Sequence, residues 1–200
     1  TASGADYYEW VADPTLSTLT SASTEASPTV TTMYYVKSRG GADDDLVING
    51  TFSAGNTGFT TDGVFKTKSE SMTYGTYSIL HSTDERGWSG DESWQLSNQY
   101  DHTTGDETGM LMIFDGFSQP NKRIWEQTVD VQPNTSYVFS AWFISLLSSF
   151  ETGSYTRFQF YVNGVQLGGV AESPHKEGLW GQYYEIWNSG SATKATLTIK

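Results

Sequence analysis

From Leu46 onward the chain is divided into short runs rich in β-branched and aromatic residues, each closed by a Gly, Asn or Asp turn signal. These are LVING (46–50), GTYSILHS (75–82), GMLMIFDG (109–116), IWEQTVDV (124–131), SYVFSAWFISL (136–146), TRFQFYVNG (156–164), YYEIWNSG (183–190) and ATLTIK (195–200). Alternation with a period of two buries one face of a strand, and a helix of 3.6 residues per turn cannot use it. Residues 141–149 alone have a composition that a helix would accept, and their alternation again argues for a strand. In YVNGVQLGG, Asn163-Gly164 stands between two apolar runs, and both residue types tolerate the positive φ that a two-residue hairpin demands. Many short strands joined by Gly-rich turns predict an all-β protein, a β-sandwich or jelly roll.

Composition points the same way. Seven Trp, 12 Tyr and 10 Phe accompany 20 Gly in 200 residues, a balance that suits pleated sheet better than helix. Eleven basic against 23 acidic residues leave a net charge of −12. That field repels phosphate backbones and anionic lipid, so nucleic acid is not an expected partner, whereas cations such as Ca2+ are attracted. The absence of cysteine excludes disulfides, thiolate metal sites and cysteine nucleophiles. No apolar run approaches the roughly 18–20 residues that span a bilayer, so no membrane insertion is expected. A start at Thr1, without Met or a signal peptide, reads as a piece of a longer protein.

Two domains are expected. In residues 1–40 the alternating TVTTMYYVKS (29–38) predicts a strand and Trp10 a core plug, but the strands are too few for a complete sandwich. GGADDD (40–45) puts two glycines before three consecutive acids, which reads as linker. The expected organisation is therefore 1–40 as the C-terminal part of one β-sandwich, 41–45 as linker, and 46–200 as a second, larger domain.

DDLVINGTFSAGNTGF (44–59) resembles the opening of carbohydrate-binding-module-like jelly rolls of the galactose-binding type, and WEQTVDVQPNTSYVFSAWF (125–143) resembles their middle. YDHTTGDETGMLMIFDG (100–116) and LWGQYYEIWNSGSATKATLTIK (179–200) are similar to a branch found in large secreted surface proteins of Bacteroidetes-type bacteria. Residues 8–38 look like the end of the Ig-like repeats that often precede that domain. The resemblance implies a non-catalytic, extracellular or cell-surface module that binds a glycan. An alternative is a structural or adhesive spacer contacting neighbouring surface-protein domains. Two features depart from the family. Ser53 stands where relatives often carry a Glu that serves a structural calcium, and the further strand that usually closes these domains does not follow ATLTIK, so the jelly roll is expected to lack its last strand.

Trp88 and Trp94 lie in DERGWSGDESWQLSNQYDHTTGDE (84–107), a polar stretch without strand alternation. An aromatic ring there either stacks on a sugar face, with Gln95, Asn98, Tyr100 and Asp101 supplying hydroxyl partners, or folds down over the sheet. Trp180, also flanked by loop, is open to the same two readings. Trp125 shares a face with Gln127, Val129 and Val131, which suits either a binding face or the core. Trp142 and Trp187, in mid-strand, are expected in the core. For a metal, Asp101, Asp106 and Asp115 are the candidate calcium ligands, without EF-hand spacing. His81, His102 and His175 have no zinc-ligand spacing. Glu126 and Asp115 are the acids a glycosidase reading would nominate, but no second acid pairs with either, and no nucleophile elbow or phosphate loop occurs. No enzyme is expected.

Overall fold

The computed structural model describes residues 1–2, 7–21, 23–39, 45–85, 98–146, 156–175 and 178–200. Two compact units divide the chain, Thr1–Leu46 and Val47–Lys200. Both are built from strands. Among the described residues the one helical element is a 3₁₀ turn at Thr83–Glu85, and no helix is long and apolar enough to cross a membrane.

In the first unit β1 (Tyr7–Trp10) pairs antiparallel with β2 (Val36–Arg39), with Tyr8 opposite Ser38 and Trp10 opposite Val36. Tyr8 is buried. Trp10 is half-buried and its Nε1 donates to the Ser21 carbonyl at 2.7 Å. The strand expected over 29–38 forms only from Val36. Val30 and Met33 stay 72% and 75% exposed, because no strand among the described residues lies beside them to turn their alternation into pairing.

The second unit contains β3 (Val64–Phe65), β4 (Thr76–Leu80), β5 (Leu111–Asp115), β6 (Trp125–Asp130), β7 (Ser136–Phe143), β8 (Arg157–Val162), β9 (Val165–Glu172), β10 (Gly181–Asn188) and β11 (Lys194–Ile199). They form an antiparallel sheet in the order β6-β11-β8-β9, an antiparallel pair β7-β10, and a sheet β3-β4-β5 in which β3 runs parallel to β4. Alternation sends Trp125, Gln127 and Val129 of β6, Phe158, Phe160 and Val162 of β8, and Ala195, Leu197 and Ile199 of β11 to one buried face. On β7 the opposing residues are Phe139, whose ring centroid lies 4.8 Å from that of Phe160, and Phe143, 3.9 Å from that of Phe158. Two layers of inward-facing aromatics make this an all-β sandwich. Each such ring contributes roughly 1.5–3 kcal/mol through burial. In the third sheet, Tyr77 stacks on Phe114 across the strands. On its other side Leu80, Leu111 and Ile113 form a cluster against which Met72, Leu146 and Trp180 pack.

The Asn163-Gly164 hairpin forms as its residues require, with φ of 51° and 77° and Val162 paired to Val165. LVING does not form a strand. Residues 48–51 are a turn with Asn49 at φ 58°. The Asn49 side chain accepts from Ala54 N and donates to the carbonyls of Gly55 and Thr57. The Gln127 side chain takes both backbone groups of Ile48. Side chains thus satisfy the backbone of Ile48 and of residues 54–57, where a strand would use a neighbouring strand. β11 has neighbours on both edges, β6 and β8.

Candidate functional site

Asp101 anchors the most distinctive surface of the second unit. Its Oδ2 accepts from the backbone N–H of Thr103 (2.8 Å) and Thr104 (3.0 Å), and its Oδ1 from the Thr104 hydroxyl. The Gly105 N–H closes the turn on the Asp101 carbonyl. Asp-x-Thr sequences form such turns because a short carboxylate reaches the N–H two residues on. Burial pushes the Asp101 carboxyl up, but the bonds from Thr104, Thr103 and Gly105 outweigh it and the net shift is downward. Gly109 packs against this carboxylate so closely that a Cβ there would overlap it. Gly109's carbonyl in turn contacts His81 Nδ1 at 2.8 Å.

The turn displays His102, which is exposed. Its imidazole lies flat on the indole of Trp142, centroids 3.4 Å apart and planes 11° apart, and edge-on to Trp180 at 6.1 Å. Trp142 is thus not the core residue its mid-strand position suggests. On β7 the inward parity belongs to Phe139 and Phe143. Trp142 shares the outward parity with exposed Val138 and Ser140, and His102 covers what the sheet does not. On β10 its partner is half-buried Gln182, and exposed Tyr184 lies opposite Ser140. Four rings, those of His102, Trp142, Trp180 and Tyr184, with the Gln182 amide and the Ser140 hydroxyl, therefore occupy one side of the β7-β10 pair.

Trp88, Trp94 and Gln95 lie outside the described residues. The ends of their segment are fixed beside the Asp101 turn. Thr83 N donates to Gln99 O (3.0 Å), Gln99 N to Thr83 Oγ1 (3.1 Å) and Asn98 N to Asp84 Oδ2 (3.0 Å). Tyr100 is half-buried and bridges to Ser82. Trp125 takes the core side of its two alternatives. It is 6% exposed, with its ring centroid 6.3 Å from that of Phe139, because residues 125, 127 and 129 all point between the layers. Trp187 is half-buried against Tyr137. Trp180 is half-buried, partly covering the Leu80 cluster.

The three candidate calcium ligands do not converge. Asp106 Oδ1 accepts from Thr108 N and Oγ1, which holds its carboxyl below the usual range. Asp115 ends β5 opposite Thr76. Among the described residues no group of three or more His, Asp and Glu side chains is placed to hold a metal ion. His102 has no metal-ligand spacing in the sequence. The signal that could have found it was the Asp-x-Thr turn beginning one residue earlier. No family model, curated protein or solved structure matches the chain.

Proposed function

We propose that the second unit is a non-catalytic carbohydrate-binding module of a larger extracellular or bacterial surface protein. One observation carries this reading: exposed His102 is stacked on Trp142 beside Trp180, next to Tyr184 and Gln182 on the outward side of β7-β10. Sugar rings present a C–H-rich face that aromatic surfaces dehydrate favourably, while their hydroxyls need amide and hydroxyl partners fixed nearby. A glycan array backed by affinity electrophoresis tests the proposal. Binding to no glycan above background would remove it.

A calcium ion enters this reading only through the family resemblance. To bind one, Asp101 and Asp106 would have to give up Thr103, Thr104 and Thr108, so the carboxylates do not suit the ion as they stand. Thermal melts with and without a chelator decide the point, and an unchanged midpoint excludes a structural ion.

A second reading, a spacer or adhesive domain contacting neighbouring protein domains, is favoured by Val138 and Ile186. They are paired across β7-β10 and are 64% and 66% exposed. Adjacent exposed aliphatics on a sheet face suit a protein contact better than a hydroxylated ligand. Glycan-independent self-association, lost in Val138→Asp, would support this reading over the first.

A further inference from the structure

The opposite outer face of the sandwich carries an open groove of about 290 Å³. Its floor is the outward side of the β6-β11-β8 sheet. Thr198 on the middle strand stands between Glu126 and Tyr161 and is only 4% exposed. Its hydroxyl donates to Glu126 Oε2 at 2.9 Å. Arg123 forms one wall, holding Glu126 at 2.8 Å through Nη1 and Asp62 at 2.7 Å through Nη2, with a further bond from its own N–H to Asp62. Lys200 forms the other. Its Nζ lies 4.4 Å from the centre of the Tyr161 ring, and among the described residues no carboxylate is within ion-pair reach of it. Gly164, at the hairpin tip, leaves the mouth open, since nothing lies within 4 Å of where a side chain would begin.

Charge and preorganisation together define what fits. The Arg123 and Lys200 side chains balance those of Asp62 and Glu126, within a chain of net charge −12. The groove's two carboxylates are already committed to Arg123, whereas among the described residues the ammonium has an aromatic face and no carboxylate. A single negative charge placed at Lys200 gains a charge-assisted contact, while a polyanion would meet Asp62, Glu126 and the acidic surface beyond. The volume is at the lower end of the range for ligand pockets, about 300–1,000 Å³, enough for one ring and not for an oligomer. The groove also offers hydroxyl and carboxylate acceptors, Thr196, Thr198 and Glu126, on the paired strands β6 and β11, so little ordering is needed on binding. We infer that this groove is a binding site for a sugar ring bearing one carboxylate, a uronic acid residue. The ring's acid sits on Lys200 and its hydroxyls face Glu126 and Thr198.

This site does not depend on the aromatic surface across the sandwich, and the two are read by different signals. In amide NMR titrations with galacturonate, galactose and acetate, galacturonate is expected to move the Thr196, Thr198 and Gly164 signals. Galactose should need at least about tenfold more ligand, the loss expected when a charge-assisted contact is missing. Lys200→Gln, checked for an otherwise unchanged spectrum, should abolish the preference. Equal responses to galacturonate and galactose, a preference that survives Lys200→Gln, or shifts reproduced by acetate as an adventitious ion only would each overturn the inference. Ligands acting at the aromatic surface move the indole signals of Trp142 and Trp180 instead, and Lys200→Gln leaves those responses unchanged.

Discussion

One side chain of β6, Gln127, holds both backbone groups of Ile48 from 79 positions away in the chain, accepting its N–H at 2.8 Å and donating to its carbonyl at 2.9 Å. Gln127 also donates to the Gly58 carbonyl and is only 7% exposed. It therefore does for the 48–58 loop what a neighbouring strand would do elsewhere. Gln127→Leu should cost about 1–3 kcal/mol in urea unfolding, the penalty for buried polar groups left without partners. Gln127→Glu should be worse at neutral pH, where a carboxylate faces two carbonyls, and should recover as the acid is protonated. A Glu variant as stable as the native protein at pH 7 would mean the clamp does not hold the loop.

Acid should weaken the second unit through Asp101 and Asp62. Hydrogen bonds from Arg123 lower Asp62, and the turn bonds, outweighing burial, lower Asp101. A carboxyl with a lowered folded pKa favours the folded state above its unfolded value of about 3.9, and that contribution disappears as pH falls through the folded value. Asp101→Asn should accordingly lose about 1–2 kcal/mol at pH 7. Its deficit against the native protein should shrink between about pH 4 and pH 2. Parallel stability curves over that range would show that Asp101 does not titrate with unfolding.

His102→Ala should cost at most about 1.5 kcal/mol of stability, the size of the stacked contact with Trp142 that the exposed ring gives up. It should weaken binding of the best array glycan about three- to tenfold, the size of a lost aromatic contact. Trp142→Phe should have the same sign with a smaller effect. Calorimetric titration separates the outcomes. Native affinity in His102→Ala would exclude the stacked pair from the glycan site.

Gly164 and Gly169 offer a matched comparison. At both, the space where a Cβ would stand has no atom within 4 Å, but only Gly164 has a positive φ, 77°. Gly164→Ala should therefore cost about 1–2 kcal/mol as backbone strain. Gly169→Ala should change stability by less than about 0.5 kcal/mol. Equal costs in thermal melts would rule out the turn's φ as the cause.

Local patterns carried the sequence reading where one signal was decisive. The strands of TRFQFYVNG and IWEQTVDV and the Asn163-Gly164 turn follow from period-two alternation and the φ a hairpin requires. Alternation misled where the second layer decides which face is in. Trp142 occupies a mid-strand position that usually faces the core, yet Phe139 and Phe143 pack on Phe160 and Phe158 and leave it outside. LVING reads as a strand, but the partner of its Ile48 backbone is the Gln127 side chain, and no sequence period reports a partner that distant. His102 was similarly hidden, since its role rests on a turn placing it over a residue 40 positions away.

The placement of β11 between β6 and β8 also sets an order of assembly. Ile199 pairs with Trp125 and Phe160, so a central strand of the larger sheet is the last of its four to be synthesised. Until it arrives, β6 and β8 each expose an unpaired edge lined by Trp125, Phe158 and Phe160. Sheets closed by such distant pairings fold slowly, and their half-built edges invite pairing with other chains. For this protein the hazard is concentrated in synthesis: a nascent chain stalled before Lys194 carries a nearly complete aromatic core with its middle strand absent.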